Sequence, residues 1–281
     1  MKFLRFGEKG AEKPGIFHNG EIKDLSAHVS ELSGHNLDPD SLAQVARLDL
    51  DALPTVQDAP RLGPCVSGTG KFICIGLNYS DHAAEAGMQV PPEPIIFMKA
   101  TSAISGPNDP IELPRGSTTT DWEAELGVVI GRHAKYVSEE DALDHVAGYC
   151  IVNDVSERTY QTQRSGQWTK GKSADTFGPV GPWLVTPDEL GDPHALSIRL
   201  QVNGIIRQEG SSSTMVYRIP FLISYLSQFM SLHPGDIIAT GTPPGVGMGM
   251  KPPVYLQDGD IVHIEIEGLG TQTQRVKAAD G

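Results

Sequence analysis

The chain has 281 residues, 39% of them apolar and 20% charged, which is ordinary for a globular protein and enough for a large buried core. A net charge of −13 argues against nucleic acid and anionic membrane as partners, because both require a positive footprint, and an anionic substrate would need a local cationic site. Three cysteines without C-x-x-C spacing, a start unlike a signal peptide and the lack of any apolar run near ~20 residues point to a reducing cytoplasm, while 31 glycines and 21 prolines predict many turns between short strands.

Residues 1–66 read as a small leading α+β unit and residues 67–281 as the main domain. Lys2–Phe6 has the pattern of a strand, Gly15–Phe17 and Ile22–Leu25 that of a hairpin pair, and Ser41–Leu48 that of a short helix capped by Ser41. Asp51–Pro64 reads as a linker. His18, His28 and His35 are isolated and read as surface residues. At Lys71 the character changes. Phe72–Gly76 is a buried strand, and residues 78–87 form a short helix capped by Asn78 or Ser80 and ended by Gly87. His82 and Glu85 are three apart and share one face of it, the pairing that orients an imidazole as a general base. Ile95–Lys99 is the next strand.

In Asp121–Gly131 the β-branched Val128, Val129 and Ile130 mark a strand, and side chains alternate along it. Trp122, Ala124, Leu126 and Val128 face a core. Glu123 and Glu125 lie together on the other face, roughly 7 Å apart at the Cα level. Like charges that close resist joint ionisation unless a cation lies between them, which suggests a divalent metal. The alternative is a solvated edge strand that merely carries Glu-x-Glu.

Ser138–Ala147 reads as an amphipathic helix with Ala142, Leu143 and Val146 inward, and Ala147–Val152 as a strand with Asp154 just past its end. Asp154, Arg158 and Gln161 come together if a helix starts after Val155. Trp168–Ser173 reads as a loop, Phe177–Val185 as a bend between strands, and Asn203-Gly204 as a type I′ hairpin turn. Ile219–Met230 is a helix with Leu222, Tyr225, Leu226 and Phe229 inward. The glycine-rich run from Gly241 to Gly249 is not a dinucleotide loop, since prolines interrupt it and Pro252-Pro253 forbids the helix that would follow. Ile261–Glu267 alternates and closes a sheet.

The ordered set Gly76-Leu77-Asn78-Tyr79-Ser80-Asp81-His82-Ala83-Ala84-Glu85, Phe97-Met98-Lys99, Glu123-Ala124-Glu125-Leu126-Gly127, Asn153-Asp154-Val155, Lys172-Ser173, Asn203-Gly204, Gly235-Asp236 and Thr240-Gly241-Thr242-Pro243 resembles the fumarylacetoacetate hydrolase family from about Lys71 onward. The resemblance implies an α+β, mainly β fold of layered, barrel-like sheet with short helices, usually as a homodimer, with a dimer of dimers as an alternative. It implies a divalent metal on Glu123, Glu125 and Asp154, a lid segment carrying His82 and Glu85, and Lys172 projecting into the site. Lys170 is a rival for Lys172, and Lys99 is either part of the site wall or a structural ion pair.

An all-carboxylate ligand set suits a hard cation: Mg²⁺ first, then Mn²⁺ or Ca²⁺. The expected reaction is hydrolysis of the C3–C4 bond of a 2,4-diketo acid, with His82 oriented by Glu85 as base and Lys172 supplying charge to a substrate oxygen. Arg158 and Gln161 are expected to assist, and Thr242 and the Gly241 amide to bind the distal part of the substrate. The expected substrate is a 2,4-diketo-3-deoxy sugar acid of the L-rhamnonate or L-fuconate type, cleaved to pyruvate and a hydroxy acid. Ureidoglycolate cleavage, oxaloacetate decarboxylation and hydroxyheptadienedioate isomerisation use the same enolate-stabilising apparatus.

Overall fold

The computed structural model describes residues 1–81 and 91–279. Its centre is the strand Ala124–Ile130, every residue of which is buried. The strand pairs antiparallel with Val146–Asn153 on one side and with Ile237–Ala239 on the other. From there a ten-stranded sheet extends through Gly178–Val185, Lys2–Phe6, Lys13–His18 and Glu21–Asp24 in one direction. In the other it runs through Phe72–Gly76 and Ile95–Lys99, and Ile104–Ser105 pairs beside Gly178–Val185. A second, five-stranded sheet runs in the order Ile205–Ser211, Ser197–Val202, Ile261–Ile266, Gly270–Lys277, Ile111–Glu112.

The alternation read from the sequence decides which face meets which layer. Leu126, Val128 and Ile130 pack with Ile198, Leu200, Val262 and Ile264 of the smaller sheet. Val129 faces the opposite way, into a core with Cys150, Val152, Leu184 and Phe3. Burying each such side chain stabilises the fold by about 1.5–3 kcal/mol, so a strand covered on both faces is well suited to hold charged groups rigidly at its start. The mainly-β, layered α+β class expected from the sequence is the one the chain adopts.

The leading 66 residues do not stand apart. Phe3 pairs with Leu184 in the main sheet, and Phe3, Ile16, Leu25, Leu37 and Leu42 share the core that holds Phe72 and Val129. The hairpin at Asn203-Gly204 forms as expected, with φ of 53° and 77°.

Several element expectations need correction. The first helix is Pro39–Val45, capped by Asp38, whose carboxylate accepts the Asp40 N–H; Ser41 lies inside it. Over Ser138–Ala147 only a short 3-10 turn, Ala142–His145, forms, because Ser138 and Asp141 bond to each other in a tight turn, and Leu143 is exposed. Lys172 ends a four-residue helix, Thr169–Lys172, rather than lying in a loop. On the helix Ile219–Phe229, Leu222, Ile223 and Leu226 face inward. Tyr225 and Phe229 instead join Tyr217 and Phe221 in an aromatic ladder on its outer side. The polar strand Gly270–Lys277 gave no apolar alternation to detect; its inward Gln272 and Gln274 satisfy buried backbone carbonyls.

Candidate active site

Strand pairing brings the three expected metal carboxylates together. Asn153 pairs with Ala124 and Val152 with Glu125, so the residue after the strand end, Asp154, falls beside Glu123. The backbone fixes this contact: the Asp154 N–H donates to the Glu123 carbonyl at 2.9 Å, and the Glu123 N–H donates to Asn153 Oδ1 at 3.3 Å. One carboxylate oxygen from each of Glu123, Glu125 and Asp154 lies within 4.8 Å of the other two, and all three residues are buried.

Three cations surround them. Lys172 Nζ donates to Glu123 Oε2 at 2.8 Å and to Asp154 Oδ2 at 2.7 Å. Lys99 Nζ donates to Asp154 Oδ1 at 2.5 Å and to the Val155 carbonyl at 3.0 Å. The Arg158 guanidinium lies 2.8 Å from both Asp121 Oδ2 and Glu123 Oε1, and donates to Gln161 Oε1 at 2.9 Å. Lys170 instead donates to the Arg164 carbonyl at the surface, so of the two rival lysines only Lys172 reaches the carboxylates.

Glu125 is the exception. Among the described residues no cation pairs with it, and its Oε2 accepts only the Gly241 N–H, at 2.9 Å. Burial, followed by the charges of Asp154 and Glu123, pushes its carboxyl well above the usual range. Burial also acts against Glu123, but there Lys172 and Arg158 prevail and hold the carboxyl well below the usual range. With Glu125 ionised, counting Asp121, Glu123, Glu125 and Asp154 against Lys99, Arg158 and Lys172 leaves 4 − 3, one uncompensated negative charge at a buried site. A dication among the three carboxylates offsets that charge and stabilises the ionised form of Glu125. The all-oxygen donor set fits a hard cation.

The cluster occupies the polar corner of a cavity of about 660 Å³, into which Glu123, Glu125, Arg158, Gln161, Lys172 and Thr242 project. The remaining wall is largely apolar, formed by Ile75, Leu77, Phe97, Trp168, Val246 and Met248, with Thr162 and the exposed Lys251 as its polar members. Lys99 lies behind Asp154 and is not among the described residues lining the cavity. The Gly241 amide is engaged with Glu125. Thr242 Oγ1 donates to the Ala124 carbonyl and accepts from Gln208 Nε2, each at 2.8 Å. Both donors are thus engaged in support of the central strand, one N–H and one O–H each donating once, while Thr242 also lines the cavity. His82 and Glu85 lie outside the described residues.

Sequence reasoning missed Asp121. It is fully buried and accepts from Arg158 and from the amides of Gly247 and Met248, tying the glycine-rich loop to the cluster. The signal was present: Asp121, Glu123 and Glu125 follow each other at a spacing of two.

Residues 71–277 match the family model for the fumarylacetoacetate (FAA) hydrolase C-terminal domain. A Burkholderia multivorans protein named as a hydrolase is 59% identical over 281 residues, covering 99% of this chain and all of that one. Among solved structures, maleylpyruvate hydrolase from Sphingobium sp. SYK-6, in complex with manganese(II) and pyruvate, is 31% identical with a TM-score of 0.83, over 100% of both chains. The 2-hydroxyhepta-2,4-diene-1,7-dioate isomerase from Mycobacterium marinum is 33% identical with a TM-score of 0.77, again over 100% of both. The family match spans residues 71–277, most of the chain: this protein belongs to the fumarylacetoacetate hydrolase family.

Proposed function

We propose that this protein is a divalent-metal-dependent hydrolase that cleaves the C3–C4 bond of a 2,4-diketo acid, releasing pyruvate and a carboxylic acid. The observation that carries the reading is the buried Glu125, with which no cation pairs among the described residues, beside Glu123 and Asp154 at the polar corner of a cavity large enough for such an acid. Glu123, Glu125 and Asp154 would hold the cation, Mg²⁺ before Mn²⁺ or Ca²⁺. When bound, the cation supplies Lewis-acid polarisation of the 2-oxo acid oxygens. With it the cluster totals (3 + 2) − 4 = +1, so the corner attracts an anionic acid against the −13 of the whole chain.

The remaining chemistry belongs to the chain. His82, oriented by Glu85, takes a proton from water as its oxygen bonds to C4. The C3–C4 bond then breaks, its electron pair forms the pyruvate enolate, and a proton at C3 completes pyruvate. Lys172, held at a raised pKa of about 12 because the charges of Asp154 and Glu123 outweigh its burial, keeps a fixed ammonium at the reacting end. Arg158 and Gln161 brace that end through Glu123 and Asp121. The substrate and a second copy of the chain, as a homodimer, are the partners this reading carries, and a 2,4-diketo-3-deoxy sugar acid is one member of the substrate class.

Similarity to a dioate isomerase supports a second reading, in which the same corner stabilises an enolate without water attack. A panel assay separates the two. Acylpyruvates, a diketo-deoxy sugar acid, oxaloacetate, ureidoglycolate and hydroxyheptadienedioate are each incubated with protein and Mg²⁺. The expected result is pyruvate plus a carboxylic acid from an acylpyruvate, abolished by chelator and restored by Mg²⁺ or Mn²⁺. Isomerisation or decarboxylation without hydrolysis, or turnover in metal-free protein, overturns the proposal.

A further inference from the structure

We infer that the acyl end of this cavity selects an apolar acyl chain over a hydroxylated one, and that Trp168 is the residue that sets the choice. The inference rests on the 2-oxo acid reading above and names the chemical class of its substrate's variable part. Most polar side chains of the cavity are already engaged, the exceptions among the described residues being the Gln161 NH2 group and the exposed Lys251. Gln161 Oε1 accepts from Arg158, and Thr162 Oγ1 donates to the Arg158 carbonyl at 2.8 Å. Thr242 Oγ1 is bonded on both sides, and Lys172 and Arg158 are bound to carboxylates. A hydroxyl on an acyl chain that lies against Ile75, Phe97, Trp168, Val246 and Met248 thus loses its water without gaining a partner from that wall.

Trp168 is held firmly enough to act as a wall. Its ring packs so closely on Gly76 that a Cβ there would lie 2.6 Å from ring Cζ3. The ring also meets Phe97 edge-on, with centroids 5.3 Å apart at 63°. Trp168 immediately precedes the four-residue helix that ends in Lys172, so the apolar wall and the ammonium at the reacting end are fixed by one short element. Phe97 links them again, because Lys172 Nζ lies 5.1 Å from its ring centroid. The 2-oxo acid end therefore fills the polar corner, and the chain beyond it runs along the indole.

The test measures binding, so that it does not depend on cleavage. Two 2-oxo acids that lack the 4-keto group and cannot be split are titrated calorimetrically into the full chain with Mg²⁺: 2-oxononanoate, with an apolar tail, and 2-keto-3-deoxy-L-rhamnonate, with a hydroxylated one. The expected result is at least tenfold tighter binding of 2-oxononanoate, in line with the ~10–200-fold that one methylene is worth in an apolar pocket. Trp168→Ala should remove most of that preference, and Trp168→Phe, which keeps an aromatic ring on Gly76, only part of it. Equal or reversed affinities, or a preference unchanged in both variants, overturn the inference. Failure to cleave any acylpyruvate instead refutes the hydrolase reading and leaves the binding preference standing.

Discussion

Replacing Lys172 with Met tests whether the buried cluster is balanced as the ion pairs suggest. Lys172 is 1% exposed and donates to Glu123 at 2.8 Å and to Asp154 at 2.7 Å. Removing one partner of a buried pair costs about 3–5 kcal/mol, since the remaining charge stays buried without compensation. At about 2 °C per kcal/mol for a chain of this size, Lys172→Met should melt roughly 6–10 °C below wild type in chelator. The deficit should shrink on adding Mg²⁺. Wild type moves from −1 to +1 when a dication binds, whereas the variant moves from −2 to neutrality, so the ion relieves more repulsion in the variant. Recovery of ~3 kcal/mol corresponds to about 100-fold tighter Mg²⁺ binding, even though turnover is lost with the ammonium. Thermal denaturation of both proteins in chelator and across an Mg²⁺ series reads both effects. A variant as stable as wild type in chelator, or equal Mg²⁺ shifts in the two proteins, would refute the charge assignment.

Asn78→Ala should be among the most damaging substitutions outside the carboxylate cluster. The Asn78 amide donates to the Thr240 carbonyl at 2.7 Å and the Tyr217 carbonyl at 3.1 Å, and its oxygen accepts the Tyr217 N–H at 2.8 Å, so the variant strands up to three backbone groups. At ~1–3 kcal/mol per stranded buried group the loss should exceed 3 kcal/mol in urea unfolding; a loss under 1 kcal/mol contradicts it. His194 predicts a specific acid sensitivity. Its Nε2 accepts the Ile219 N–H at the start of the helix Ile219–Phe229, and burial, then the Arg218 charge, lowers its pKa. The unfolded chain takes up that proton near pH ~6.5 while the folded chain does not, so the stability is present above that pH and is lost as pH falls below it. His194→Gln should flatten the stability profile between about pH 7 and 5, and parallel profiles would rule the linkage out.

Much of the site was legible because its logic is local. Glu123 and Glu125 share a strand face, and Arg158 and Gln161 a helix face, by backbone periodicity alone. The outward turn of Tyr225 and Phe229 was not legible, because apolar spacing fits either side of a helix and only the surroundings decide which side is covered. Asp121 was overlooked because its importance lies in amides more than 120 residues away. The inward glutamines of Gly270–Lys277 broke the alternation that marks a strand, because they bond to the distant carbonyls of Ile151 and Pro107.

From sequence alone came the fold class, the central strand and the identity of the three carboxylates that meet at the cavity, because short-range periodicity and an ordered set of motifs encode them. Tertiary structure alone decided that the strand Lys2–Phe6 joins the main sheet and that, among the described residues, no cation pairs with Glu125. It also decided that Ile75, Leu77, Phe97, Trp168, Val246 and Met248 meet in one wall of the cavity. These outcomes depend on which distant residues meet and on how many charges share one buried volume, and no spacing along the chain reports either.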